Sequence, residues 1–336
     1  MNKIKVVQIG TGHDHAHVAM KCLLSLPEVF DVVGYVRVDQ NDMSERNLSF
    51  PWFKLVKCLT LEEAFNIPDL QCAVIETDDA LLTKYTDLAL KRGLHVHMDK
   101  PGGQDHKEFS MAFDFAKENN LTLHTGYMYR YNPAIKKVIQ MVKNNELGEI
   151  YSIESQMSCW LSDSKRAWLK TFKGGMINFL GCHLIDFVLQ LKGLPKEIIP
   201  LSTISRPDLG GEDVGLAVLK YDNCTATIKS NGMETGGPMR RKIVVTGEKG
   251  TIEINPTEYP KAGYGAAIFT DMRITMVKDD DWNCRPDPIV FGPFDRYEEM
   301  FLEFYKIVNG EMENPYSYEY EKTLHEVVLK ACGVEK

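Results

Sequence analysis

The chain has 336 residues, 44% of them hydrophobic and 26% charged, which is enough for two domains with cores of their own. Its net charge of −8, with no long basic run and no interleaving of basic and aromatic residues, argues against nucleic acid and anionic membrane surfaces as partners. The opening apolar run is too short for a signal peptide, no stretch approaches the ~20 apolar residues that span a bilayer, and the eight cysteines are scattered, so a cytoplasmic chain with reduced thiols is expected.

Lys5-Val6-Val7-Gln8-Ile9 reads as a strand that ends at glycines, and a helical stretch follows as far as Leu26, where Pro27 closes it. Asp31-Val32-Val33-Gly34-Tyr35-Val36 is a second strand, and Cys72-Ala73-Val74-Ile75-Glu76 a third, after a helix over residues 61–66. His95-Val96-His97-Met98 and Leu121-Thr122-Leu123-His124 continue the series, each preceded by a helix. Strand–helix–strand alternation with short connections implies a doubly wound parallel sheet.

The pattern changes after Tyr127. One helix is expected over residues 133–144, ended by Leu147-Gly148, and strands over 150–158, 214–221, 225–230, 242–246 and 251–254. The turns Tyr221-Asp222-Asn223 and Gly247-Glu248-Lys249-Gly250 suit antiparallel hairpins. Residues 263–295 read as loops and short strands, and helical patterns return over 298–308 and 320–331. The expected class is α/β: a Rossmann domain over residues 1–126, then an α+β domain over 127–336 with an open, mainly antiparallel sheet and a C-terminal helix able to pack back on the first domain.

The stretch Gly10-Thr11-Gly12-His13-Asp14-His15-Ala16-His17 admits two readings. After a strand and before a helix, the first glycine makes a tight turn and the second lets backbone approach a dinucleotide's pyrophosphate, with Thr11 and His13 beside it. The third glycine of such a turn, which serves helix packing, is His15 here. A metal site would need three imidazoles to converge, and on a helix only His13 and His17, four apart, share a face. The spacing therefore favours a dinucleotide, and no metal is expected. At the end of the second strand Arg37 suits the 2′-phosphate of NADP, while Asp39 two residues on suits the ribose hydroxyls of NAD; both remain open.

A further strand ends in Asp99-Lys100-Pro101, and Gly174-Gly175 leads to Gly181-Cys182-His183-Leu184-Ile185-Asp186. With Gly126-Tyr127-Met128-Tyr129-Arg130-Tyr131-Asn132-Pro133, Gly148-Glu149-Ile150 and Gly247-Glu248-Lys249-Gly250-Thr251, these motifs run through nearly the whole chain in order. In them the chain resembles the glucose–fructose oxidoreductase and myo-inositol dehydrogenase family, written Gfo/Idh/MocA, whose Glu-Lys-Pro motif is matched by Asp99-Lys100-Pro101.

The resemblance implies an NAD(P)-dependent oxidoreductase, using NAD or NADP, that acts on a sugar, polyol or related hydroxy or keto compound. It places Lys100 and His183 beside the nicotinamide. Their chemistry suits those roles: His is the side chain whose free pKa lies nearest neutrality, and an ammonium steadies developing alkoxide charge. Asp186, three residues after His183, would orient it or stabilise the helix. Asp99 and Thr77 are expected along the cofactor, and Arg130, Asn132 and Trp168 around a small carbohydrate-like substrate. The family's Asp four residues before the histidine is replaced by Phe179, which suggests a less polyhydroxylated substrate or altered chemistry. A homodimer or homotetramer through the C-terminal sheet is expected. The rival readings are a cofactor-binding sensor without turnover, against which the retained Lys100 and His183 argue, and redox-assisted elimination or glycoside cleavage.

Overall fold

The computed structural model describes residues 3–282 and 285–334, so Cys284 lies outside the described residues. The chain divides into two compact units, one of Met1–Met128 with Tyr297–His325, the other of Tyr129–Arg296 with Glu326–Lys336. Among the described residues no helix is long and apolar enough to cross a membrane.

In the first unit, β1 (Ile4–Ile9), β2 (Phe30–Val36), β3 (Cys58–Leu59), β4 (Cys72–Ile75), β5 (His95–Met98) and β6 (Leu123–Thr125) form one sheet in the order β3-β2-β1-β4-β5-β6. Every pairing in it is parallel. Parallel strands covered on both faces read as unbroken apolar runs, and β4 is buried at all of its positions. The connections include α1 (Ala16–Ser25), α2 (Asp42–Leu48), α3 (Leu61–Phe65), α4 (Leu82–Leu90) and α5 (His106–Glu118). Val7, Ile75, Val96 and Met98 from the sheet share a core with Leu82 and Ala89 of α4 and Phe109 and Phe113 of α5. Side-chain caps set the starts of several helices: Asn41 accepts from Ser44 N, Thr60 and Glu63 form a capping box, and Asp105 accepts from Glu108 N.

The strand order reverses direction between β1 and β4, and at such a switch point a crevice opens outside the carboxyl ends of the strands. Gly10, Glu76 and Asp99 are the residues that directly follow β1, β4 and β5, so they stand at that crevice.

In the second unit, α6 (Pro133–Lys143), β7 (Ile150–Gln156), α7 (Asp163–Trp168) and α8 (Cys182–Lys192) precede most of the strands. These are β8 (Glu197–Pro200), β9 (Val214–Lys220), β10 (Thr225–Asn231), β11 (Lys242–Gly247), β12 (Gly250–Ile254), β13 (Tyr259–Pro260), β14 (Ile268–Met276) and β15 (Ile289–Phe294). They make an open sheet in the order β13-β14-β12-β11-β7-β10-β9-β8, with β15 on β14. The β7–β10 pair is parallel and the others are antiparallel, so the sheet is mixed. Burial alternates along β9 to β12, as expected for one covered face, and α8 packs on β7 and β10. The last helices are α9 (Glu298–Val308), in the first unit, and α10 (Tyr318–Ala331), whose residues through His325 belong to that unit.

Asn132 fixes the start of α6. Its Oδ1 accepts from Ala134 N at 2.9 Å and Ile135 N at 3.2 Å, and its Nδ2 donates to Thr257 O and to Thr270 Oγ1. The side chain is fully buried. Asn132→Ala removes a cap and strands buried partners, so urea unfolding should show a loss of about 1–3 kcal/mol; a loss below about 0.5 kcal/mol, the scatter of neutral surface changes, would contradict this role.

Candidate functional site

The turn after β1 has no room for side chains at either glycine. Gly10 has φ +98°, and a Cβ there would stand 2.5 Å from Thr77 N; one on Gly12 would stand 2.5 Å from Asp39 Cγ. Asp39 is buried and reaches over the turn from beyond the end of β2. One of its oxygens accepts from Thr11 N and Gly12 N, both at 2.9 Å, and the other from Asp78 N at 2.9 Å. Asn47 of α2 donates to Thr11 O and His13 O, and Thr11 Oγ1 meets Ser44 Oγ at 2.6 Å. The Thr77 hydroxyl donates to Asp78 O. Arg37 is turned toward α2, where its guanidinium pairs with Glu45, and its Nε donates to Asp39 O at 3.3 Å. The glycine cradle, with a carboxylate at the end of β2 beside it, fits a dinucleotide at the ribose that this acid receives. On the pyrophosphate side a ligand must share backbone donors that Asp39 takes in this structure.

The helix does not begin where the spacing argument placed it. α1 starts at Ala16, so His13 and His15 precede it and are free of helical periodicity. Both turn to Asp99: His13 Nδ1 lies 3.2 Å and His15 Nδ1 3.0 Å from Asp99 Oδ2. Glu76 joins them, its Oε2 3.6 Å from His13 Nδ1. His17 goes elsewhere and stacks on Phe50, with ring centroids 4.0 Å apart. The convergence of His13 and His15 removes the geometric ground on which a metal was set aside.

Burial works against charge in this cluster. It pushes the Asp99 carboxyl up, but the two imidazoles outweigh it and hold Asp99 well below the usual range. Burial and the neighbouring Asp99 carboxylate push Glu76 well above its usual range. Burial lowers His15 to about 4, whereas at His13 the Asp99 carboxylate overcomes burial and raises the imidazole.

Lys100 follows directly and is fully buried, and its backbone N–H donates to Asp99 Oδ1 at 2.6 Å. The loop beyond it, which begins with a cis Lys100-Pro101 bond, is clamped. A Cβ on Gly102 would stand 2.2 Å from the Phe109 ring. The carbonyl of Gly103 accepts from His325 Nε2 at 3.2 Å, and the His325 ring stacks on Phe109 at 3.9 Å.

In the second unit His183 sits in the first turn of α8, buried, with its ring 4.8 Å from that of Tyr129. The preceding turn, Ile177–Gly181, is π-helical, a local widening that is frequent at functional sites. The motif spacing did not reveal it. Tyr129, also unforeseen, is a hub: its hydroxyl donates to Glu258 Oε2 at 2.9 Å and receives Arg241 Nη1 at 2.9 Å and Arg296 Nη1 at 3.2 Å. Burial first, and then Glu258, raise that hydroxyl's pKa.

Arg130 forks onto Asp186, with Nε 3.0 Å and Nη2 2.9 Å from its two oxygens, and Gln190 Nε2 adds a third bond at 3.0 Å. These groups therefore brace one another inside the unit, as Asn132 does at the start of α6. Trp168 stacks edge-on with Phe172 at 4.8 Å and Phe179 at 5.3 Å, under the ammonium of Lys165. Phe179 thus belongs to an aromatic cluster.

A parallel sheet in this order, with a glycine turn and an acid at its switch point, defines a Rossmann-type nucleotide-binding unit, here followed by an open mixed sheet. Residues 135–253 match the model of the GFO/IDH/MocA C-terminal domain. It is 27% identical over 210 residues to a D-xylose 1-dehydrogenase (NADP(+)) of Haloferax volcanii, covering 61% of this chain and 63% of that one. It is 23% identical over 220 residues to the scyllo-inositol 2-dehydrogenase (NADP(+)) IolW of Bacillus subtilis, covering 65% and 61%. The matched stretches thus span about three-fifths of those relatives' lengths. Among solved structures, a 3-ketoreductase from Actinomadura kijaniata in complex with TDP-benzene and NADP superposes with TM-score 0.77 at 18% identity, over 100% of this chain and 98% of that one. GenD2 from gentamicin A biosynthesis, in complex with NAD, gives 0.77 at 16%, over 99% and 94%. At these identities the likeness establishes the fold.

The buried His325 generates a pH prediction. Burial pushes its pKa down to about 3, below the ordinary imidazole value of about 6.5, so the folded state binds fewer protons between those limits. Stability is then complete above the unfolded pKa and falls as pH drops below it; from pH 7 to 5 this one group should cost about 2 kcal/mol. In His325→Gln, which does not titrate, the urea midpoint should fall less over that range. An unchanged pH slope would show that His325 is not held neutral.

Proposed function

We propose that the chain is an NAD(P)-dependent oxidoreductase that moves hydride between nicotinamide and a hydroxyl- or carbonyl-bearing carbon of a sugar, polyol or related compound. The observation that carries this reading is the glycine turn at the β1–β4 switch point, with no space at Gly10 or Gly12 for a side chain and with Asp39 beside it. The dehydrogenases among its relatives support the substrate class.

A nicotinamide dinucleotide, when bound, supplies the hydride acceptor or donor. Gly10, Thr11, Gly12 and His13 form the backbone cradle, and Asp39 and Thr77 flank its ribose side. Lys100, shut off from water, steadies negative charge that develops on the substrate oxygen, where a low dielectric strengthens its field. His183 takes or returns the hydroxyl proton. Asp186, held by Arg130 and Gln190, fixes the helix that presents His183. Phe179, packed against Trp168, makes that side apolar and favours a substrate with fewer hydroxyls there. The part-exposed alternate residues of the sheet, Leu216 and Val218 among them, support self-association as a dimer or tetramer.

Two measurements test this. Gly12→Val should bind NAD(P) roughly tenfold more weakly or worse in a fluorescence titration, a change of about 1.4 kcal/mol or more; equal affinity in a folded variant would remove the turn from the site. His183→Ala should lose about 10²–10⁴-fold in turnover on the responsive member of a sugar, keto-sugar and polyol panel while keeping dinucleotide affinity. Lys100→Ala should lower turnover as well. Near-parental turnover in both would overturn the assignment of roles.

A further inference from the structure

We propose that His13, His15 and Asp99, joined by Glu76, form a binding site for a first-row divalent cation, zinc foremost, at the carboxyl ends of β1, β4 and β5. The donors are already spaced for one. Ligand atoms about 2.0–2.1 Å from a tetrahedral zinc stand roughly 3.3 Å from one another. Here Asp99 Oδ2 is 3.2 Å from His13 Nδ1 and 3.0 Å from His15 Nδ1, and the ligand atoms of these three residues all lie within 4.8 Å of one another.

A second observation comes from outside that triad. Glu76 is 1% exposed, and its Oε2 has no hydrogen-bond partner; that oxygen is directed at the cluster, 3.6 Å from His13 Nδ1. A buried carboxyl oxygen left unpaired is costly, and a cation among the imidazoles would satisfy it. Two imidazoles and two carboxylates, with no thiolate, are the donor chemistry of zinc, iron(II) or manganese rather than of a soft monovalent ion. The ligands come from turns anchored at three adjacent parallel strands, so little reorganisation is needed. In this structure the His15 backbone N–H donates to His13 Nδ1 at 3.2 Å, and the cation would take over that lone pair. The inference stands independently of the hydride-transfer reading, because its readout is metal content and not turnover.

The test uses the full chain, stripped with a chelator, dialysed against zinc and passed through gel filtration, with bound metal measured by mass spectrometry. About one zinc per chain should remain, and cobalt(II) in its place should give the intense visible absorption of a low-coordinate nitrogen–oxygen site. Asp99→Asn and His15→Gln, with folding checked by circular dichroism, should bind zinc roughly 100-fold more weakly or worse. Substoichiometric zinc with only the faint absorption of aqueous cobalt would overturn the proposal, as would folded variants that bind zinc like the parent. Should both variants fail to fold, the cobalt spectrum of the parent decides between the same two outcomes.

Discussion

The arrangement of the first unit depends on one carboxylate. Asp39 accepts from three backbone N–H groups, two in the turn after β1 and one in the segment after β4. Hydrogen bonds to an ionised acceptor are the stronger kind, and this one is buried, so the two loops flanking the switch point are tied to a common anchor. With Asn47 holding two carbonyls on the other side, the turn has its shape before any ligand arrives. A pre-set turn spares a ligand the ordering cost that a flexible loop would impose.

The same economy places the other groups. Positions that directly follow strands inherit the rigidity of the sheet while escaping its side-chain alternation, and Gly10, Glu76 and Asp99 all use it. In the second unit the equivalent stiffness comes from hydrogen-bonded charged side chains, buried at Arg130 and Asp186 and part-buried around Tyr129. Arg130 with Asp186, and Arg241 and Arg296 around Tyr129 and Glu258, brace the segment that opens the unit and the helix that carries His183. Removing one partner of the Arg130–Asp186 pair would leave an uncompensated buried charge, so these two residues are fixed by energetics whatever else they do.

Much of this was legible in sequence, and the remainder has identifiable causes. β1 and β4 could be read because burial on both faces demands nearly continuous apolar runs, and β2 and β5 from their apolar and β-branched residues between helical stretches. β3, at two residues, is too short to carry any period. The glycines and the acid after β2 follow from motif context, but the meeting of His13 and His15 does not. It turns on where α1 begins, and His15 precedes that helix with no side-chain cap to mark the start. The hub at Tyr129 was hidden for another reason: its partners lie 112 to 167 residues away, and nothing local announces them. The widened turn before α8 likewise leaves no trace in residue spacing.

The two glycines of the first turn are constrained in different ways, and this bears on how the chain can change by mutation. A side chain at Gly10 would strike Thr77 Cγ2 and also backbone, Thr77 N and the Glu76 carbonyl carbon, so no side-chain substitution elsewhere clears the space for it. The nearest atoms to one at Gly12 all belong to the side chain of Asp39. Position 12 is therefore conditional on position 39, and the order of steps matters. A smaller residue at 39 can come first and open position 12, at the cost of the anchor, whereas the reverse order passes through a clash. Drift at this turn is thus epistatic: Gly10 is closed to it by backbone, whereas the nearest obstacle at Gly12 is a side chain that can itself change.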